Sequence, residues 1–349
     1  MHGEYKVPGG KLVVIDVEVF DGRLVAPRLA GDFFAEPDDV VERINEALTG
    51  LPADAMSTEI GKAIDAVIRP DDVLFGFAPA DVAIALRRAL GKAVGWEDLT
   101  FEVMHGPVIA PEENIALDEV LPGEMAAGRR GPMLRFWEWN APLLVMGSFQ
   151  SYDNEINPEG VARHNITVSR RITGGGAMFM EPGNCITYSL YVPQGLVDGL
   201  DFAQSYEFLD HWVMEALEQI GVHARYVPLN DISSDKGKIG GAAQKRFASG
   251  VLLHHVTMSY DIDATKMLDV MRIGQEKLRD KGTRSAAKRV DPMRSQTGMT
   301  REAIIAVFMQ HFREKYNCID SQVRPEEIEA ARQLAGEKFT ADWWVHRIP

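Results

Sequence analysis

The chain has 349 residues, 46% of them apolar and 25% charged, with a formal net charge of -14 and a pI near 5.2. That length allows one large domain or two ordinary ones with real cores. The acidic balance argues against a nucleic-acid binder, which would carry a basic block, and against docking on an anionic membrane.

Residues 11–20 alternate as a strand, Asp21-Gly22 signals a hairpin turn, and residues 23–29 return as its partner. Pro37, Asp38 and Asp39 open a helix that places Val40, Ile44 and Leu48 on one face and ends at Gly50. Residues 53–68 are a weaker helix, and residues 80–90 form a short one closed by Gly91. These elements make a small acidic α+β unit, 1–106. Residues 106–113, with two prolines, read as the boundary to a second unit, 107–349.

In the second unit, residues 132–139 and 143–147 read as two strands around the turn Asn140-Ala141-Pro142. Strands follow at 166–171, 185–192, 222–227 and 251–260. Residues 202–220 make a long amphipathic helix with Phe202, Tyr206, Leu209, Val213 and Leu217 expected on its buried face. Residues 232–241 are polar and glycine-rich, a loop or short edge strand. Helices at 264–278, 301–316 and 325–339 close the chain, and the Arg-, Lys- and Ser-rich stretch 281–298 is expected to be mobile. The class is therefore α+β, with much antiparallel pairing rather than regular βαβ units.

Chemistry concentrates in three patches. Arg170 and Arg171 precede Gly174, Gly175 and Gly176. Residues without a Cβ let a ligand approach the backbone, and exposed N–H groups beside arginines can hold an anion. A plain turn between strands fits the glycines equally well. The second patch is Asn230-Asp231 followed by Lys238, Gly240, Gly241 and Ala242. A lysine among small residues can stabilise a phosphate or a developing oxyanion, or simply face solvent on a turn. Asp231 can hold a divalent metal or cap a turn. The third is the aromatic stretch around Trp137.

His254 and His255 are adjacent strand residues and point to opposite faces, so they cannot share one metal ion. At least one is expected to be a packed or hydrogen-bonded core histidine. Cys185 and Cys318 lie far apart in no metal-ligand spacing and read as reduced thiols, Cys185 as a buried, inert one. The N-terminus carries no apolar signal-type run and no window approaches 18 apolar residues, so a cytoplasmic protein is expected.

Taken together, the patches resemble the lipoate-protein ligase family, within the group of biotin and lipoate ligases and lipoyl/octanoyl transferases. The resemblance rests on Trp137, Asn140-Ala141-Pro142, Gly147 and Gln150; on Arg170-Arg171, Gly174 to Ala177 and Gly183-Asn184; on Asn230-Asp231 and Lys238 to Gln244; and on His255-Val256-Thr257. It covers about residues 109–349. Residues 3–13 and 31–34 are similar to the small accessory domain that such ligases need for activation, here placed first. The resemblance implies a mixed-sheet catalytic domain that uses ATP and Mg²⁺ to convert lipoate to lipoyl-adenylate. The acyl group then passes to a lysine of an apo lipoyl domain, in a 2-oxoacid dehydrogenase complex or a glycine-cleavage H-like protein.

On that pattern Lys238 is catalytic, and Arg171, Gly174, Gly175, Gly176, Asn230, Asp231, Ala242 and Trp137 bind the nucleotide and acyl group. Asp231 is also the metal ligand, and Trp137 and Met146 line an acyl channel. Met180-Glu181 stand where the family carries His-Asp, and Val256 where it carries glycine, so acyl preference is expected to differ. A carrier-to-carrier transferase using Cys185, or a protein that binds acyl-adenylate without turnover, are the alternative readings.

Overall fold

The computed structural model describes residues 1–7, 10–91, 95–235, 237–272 and 292–349. The chain divides into two compact units, one of residues 1–98 and 194–201, the other of residues 99–193 and 202–349.

In the first unit, β1 (His2–Lys6), β2 (Leu12–Phe20) and β3 (Arg23–Gly31) form an antiparallel sheet in sequence order. Asp21 and Gly22 both take positive φ at the turn, as the Asp-Gly signal demands. A two-stranded ladder joins β4 (Phe34–Glu36) to β5 (Val73–Phe75). Helices Val40–Leu48, Ser57–Asp65 and Pro79–Ala89 cover a core that includes Val13, Ile15, Ile44, Leu48, Ile60, Ile64 and Leu86. Val40, Ile44 and Leu48 are fully buried, at the spacing of one helical face. Residues 194–201 rejoin this unit, where Asp198 accepts the Arg87 Nε–H at 2.6 Å and the same guanidinium donates to the Ala55 carbonyl.

The second unit begins at Leu99, not at residue 107. The Pro- and Gly-containing stretch 106–113 is no linker. It ends β6 (Phe101–Ile109) and starts helix Pro111–Ala126, with Pro111 where a helix needs no N–H. The strands that follow are β7 (Met133–Trp139), β8 (Leu143–Met146), β9 (Thr167–Arg170), β10 (Met178–Met180) and β11 (Cys185–Pro193). Then come β12 (Arg225–Val227), β13 (Asp231–Ser233), β14 (Lys238–Arg246), β15 (Val251–Ser259) and β16 (Cys318–Asp320). Eight strands form one mixed sheet in the order β12-β13-β14-β15-β11-β7-β6-β16, and β10-β8-β9 form a second.

β7 and β8 therefore do not pair. Asn140-Ala141-Pro142 carries the chain from one sheet to the other, rather than closing a hairpin. The stretch 232–241 contributes two paired strands, β13 and the start of β14. The helix expected over 264–278 is seen as Ala264–Val270, and residues 273–278 lie outside the described residues. So do residues 281–291 of the polar stretch, while Met293–Thr297 is a short helix.

One face of the large sheet is covered by helix Phe202–Gln219 and helix Arg301–Lys315, where Trp212, Phe308 and Phe312 pack edge to face. Helix Pro325–Leu334 packs on helix Pro111–Ala126, and a π-helical turn Ala335–Phe339 continues it. Among the described residues no helix is long and apolar enough to cross a membrane.

Candidate functional site

A cavity of about 250 Å³ opens between the large sheet, β8, β10 and the glycine loop. Strand periodicity decides which side chains reach it. His255, Thr257 and Ser259 of β15 line it, whereas Val256 is buried elsewhere. From β8 it receives Val145, while Met146 turns into a separate core with Leu144 and Phe179. Met146 is thus not part of the channel wall, because it sits one residue out of phase. Met178 and Met180 of β10 do line it, with Ile115, Trp137, Ile172, Ile262 and Met267. Three methionines give this wall adaptable, polarizable packing.

The polar edge is built from two loops. Lys238 and Asp231 meet as β13 turns into β14, with Lys238 Nζ 2.7 Å from Asp231 Oδ1, both partly exposed. Asn230 is pinned beside them. Its Nδ2 donates to the Ala242 carbonyl at 2.6 Å, and the Ala242 amide donates to the Asn230 carbonyl at 2.9 Å. Lys238, Asn230 and Ala242 all line the cavity, and Asp231 reaches it through its lysine partner.

Gly175 and Gly176 face the cavity, Gly175 with φ +91°. Gly174 does not line it. Its carbonyl accepts the Arg171 Nη2–H at 2.5 Å and tightens the loop. Gly147 supports the loop from beneath, since a Cβ there would lie 2.0 Å from the Gly175 carbonyl oxygen.

The two arginines divide. Arg170 is fully buried and, among the described residues, donates only to backbone carbonyls, those of Gly147, Gln150, Trp344, Val345 and Ile348 among them. It is a clamp, not an anion ligand. Arg171 lines the cavity and has no ion pair with a carboxylate among the described residues. Burial lowers its pKa to about 10, which leaves it cationic at neutral pH.

Beneath the cavity lies a buried network that sequence reading did not find. Asp118, on helix Pro111–Ala126, accepts from Arg135 Nη2 (3.0 Å), Ser189 Oγ (2.8 Å), Tyr191 OH (2.6 Å) and His255 Nδ1 (2.7 Å). The Trp137 indole N–H donates to Ser189 Oγ at 2.8 Å, which fixes the aromatic wall. Burial alone would raise the Asp118 pKa, but the His255 bond and the Arg135 charge hold it below the ordinary range. Burial dominates at His255 and keeps its imidazole neutral, against the pull of Asp118. The signal was present in the sequence as Asn114 and Asp118, one turn apart on the face that carries Ile115, Leu117 and Leu121 into the core; both reach Arg135.

His254 points to the opposite face, where its Nε2 lies 2.5 Å from Asp210 Oδ1, so both histidines are hydrogen-bonded core groups and share no metal. Cys185 is fully buried, does not line the cavity, and burial raises its thiol pKa far above the ordinary value. Ser259 Oγ, in the cavity wall, is buried without a hydrogen-bond partner in the described residues. Glu181, beside Met180, pairs with Lys266 instead of facing the cavity.

A mixed sheet carrying a glycine loop and a lysine-bearing strand over an apolar cavity is the fold of the solved lipoate-protein ligases. A bipartite lipoate protein ligase from Thermoplasma acidophilum, described with its E2 lipoyl domain, superposes with a TM-score of 0.61 at 24% identity, over 74% of this chain and 98% of that one. A lipoate-protein ligase A bound with ATP gives 0.60 at 20% identity, over 72% and 99%. Residues 110–313 match the lipoyl protein ligase A/B catalytic domain, and the chain belongs to that family.

Its curated relatives fall into two activities. The octanoyltransferase LipM of Halalkalibacterium halodurans is 27% identical over 270 residues, 68% of this chain and 95% of that protein. A probable lipoate-protein ligase A of Mycoplasma pneumoniae is 28% identical over 243 residues, 69% of this chain and 70% of that protein.

Proposed function

We propose that the protein is an ATP-dependent lipoate-protein ligase. The carboxylate of lipoate, or of a related acyl acid, attacks the α-phosphorus of ATP. A carboxyl–phosphate bond forms and the α–β phosphoanhydride breaks, releasing pyrophosphate. A lysine amine of an apo lipoyl domain then attacks the acyl carbon, loses a proton and forms an amide, while AMP leaves. The observation that carries this reading is Lys238 at the polar edge of a cavity that no cysteine lines. An ammonium there stabilises charge on the acyl oxygen and α-phosphate in both steps. Arg171 and the Gly175-Gly176 backbone neutralise the phosphates, and the Trp137, Ile172 and methionine walls hold the aliphatic chain. The Ser259 hydroxyl offers a polar contact within that wall.

Mg²⁺ fits this arrangement only as a nucleotide-borne ion. Among the described residues no three His, Cys, Asp or Glu side chains cluster to hold a metal. Asp231, with one oxygen on Lys238, is the carboxylate at the polar edge that would hold the ion, with phosphates and water supplying the other ligands, while Asp118 is committed to Arg135, Ser189, Tyr191 and His255. The ion would neutralise triphosphate charge. The first unit, residues 1–98 with 194–201, would act as the accessory domain.

The LipM relatives favour one other reading, octanoyl transfer between carrier proteins through a cysteinyl thioester. Pyrophosphate release with ATP, Mg²⁺ and a panel of lipoate and fatty acids, followed by mass gain of an apo lipoyl domain, tests the ligase. Cys185→Ala retains that activity in a ligase and abolishes a cysteine-dependent transferase. No pyrophosphate with any acid of the panel refutes the proposal.

A further inference from the structure

We infer that Asp118 and His255 are positioning residues that aim the Arg171 guanidinium into the cavity through the Thr173 hydroxyl. The anion that Arg171 then meets rests on the function proposed above; the relay itself does not. Arg171 Nε donates to Thr173 Oγ1 at 2.9 Å, and Thr173 Oγ1 lies 2.8 Å from His255 Nε2. Arginine has no acceptor, so Thr173 accepts from it, and its hydroxyl keeps one proton to give. The Asp118 carboxylate accepts the His255 Nδ1–H at Oδ2, 2.7 Å away, so a neutral imidazole has a bare Nε2, and the Thr173 proton goes there. Arg135, Ser189 and Tyr191 donate to the other Asp118 oxygen and favour the ionised, acceptor-only form. Each proton in the row has one direction, set from the carboxylate outward.

The groups around the imidazole agree with that direction. Helix Pro111–Ala126 presents Asp118, β7 presents Arg135 and the edge of Trp137, β11 presents Tyr191, and the glycine loop presents Arg171 and Thr173. His254, its neighbour on β15, is occupied by Asp210 across the sheet. Burial and the nearby Arg171 charge both disfavour an imidazolium.

The row has the composition of a hydroxyl–imidazole–carboxylate triad, but it is not a nucleophilic one. Thr173 is 1% exposed, does not line the cavity, and its oxygen is taken by Arg171. The hydroxyl is a strut. Without it the guanidinium keeps, among the described residues, only the Gly174 carbonyl and can rotate about its long side chain.

Nitrogen-15 NMR of the full chain, with the signal assigned by its loss in His255→Phe, reads the tautomer directly. The expected wild-type form carries hydrogen on Nδ1. Asp118→Asn turns an amide N–H₂ toward the ring and should move the hydrogen to Nε2, as when a triad aspartate is replaced. Calorimetric binding of pyrophosphate reads the consequence without turnover. Thr173→Val, whose fold is checked by melting, should weaken it about tenfold, the size of one lost bond to a charged group. Thr173→Ser, which keeps the hydroxyl, should restore it. An Nε2–H tautomer in the wild type, or Thr173→Val binding pyrophosphate within about twofold of wild type, overturns the inference. Absence of pyrophosphate release from ATP by the wild type would instead sink the ligase reading, and leaves the tautomer measurement to decide the relay.

Discussion

Arg170→Lys separates a clamp from an anion ligand. The Arg170 guanidinium reaches six carbonyls, of Gly147, Ser148, Gln150, Trp344, Val345 and Ile348, at 2.5 to 3.4 Å. A lysine ammonium has three N–H groups at one point and cannot span that fork. The contacts to Ser148 at 3.4 Å and Ile348 at 3.3 Å are weak, so the substitution forfeits about two good charge-assisted bonds. At roughly 1.5–2 kcal/mol each, the loss is about 3–4 kcal/mol. Burial, already lowering the Arg170 pKa, would also press a lysine to give up its proton. For a unit of this size that predicts a fall in Tm of about 6–16 °C. Thermal and urea unfolding followed by tryptophan fluorescence measures it, since Trp344 sits on the clamp and donates its indole N–H to the Arg170 carbonyl. A variant within about 1 kcal/mol of wild type refutes the clamp.

Three further outcomes follow from the same geometry. Gly147→Ala drives a methyl into the Gly175 carbonyl, so the glycine loop must shift; pyrophosphate binding should weaken while unfolding free energy falls by about 1–3 kcal/mol. Lys238→Met should lower the rate of pyrophosphate release by about 10²–10³. It should leave Tm nearly unchanged, because an exposed ion pair contributes little; wild-type rates would remove Lys238 from the chemistry. His255 is held neutral, with its pKa below the ordinary imidazole value. The unfolded chain therefore binds the extra proton first as pH falls, and stability declines from pH near 6.5 downward through the folded pKa. The wild-type melting curve should lose stability over that window relative to His255→Phe, and parallel curves would contradict a neutral buried imidazole.

Much of the fold was legible because its signals are local. The Asp21-Gly22 hairpin, the helix carrying Val40, Ile44 and Leu48, and the long helix Phe202–Gln219 are each specified by turn chemistry or by a 3.6-residue period. Glycine, arginine and lysine motifs at fixed order also marked the family, which the match over residues 110–313 bears out. Partner choice was not legible, since a strand's sequence carries its alternation and not its neighbour. Asn140-Ala141-Pro142 has the composition of a hairpin turn yet crosses between sheets.

The sequence by itself determined which residue types are present to bind an anion and an acyl chain, and that His254 and His255 must point apart. Only the tertiary structure decided their partners. It withdrew Arg170 into the core beside a C-terminal segment some 175 residues away and left Arg171 facing the cavity. It brought Asp118 to His255 across 137 residues of chain. Hydrogen-bond direction and burial are set by what packs around a group, and adjacent residues with the same side chain can meet opposite surroundings.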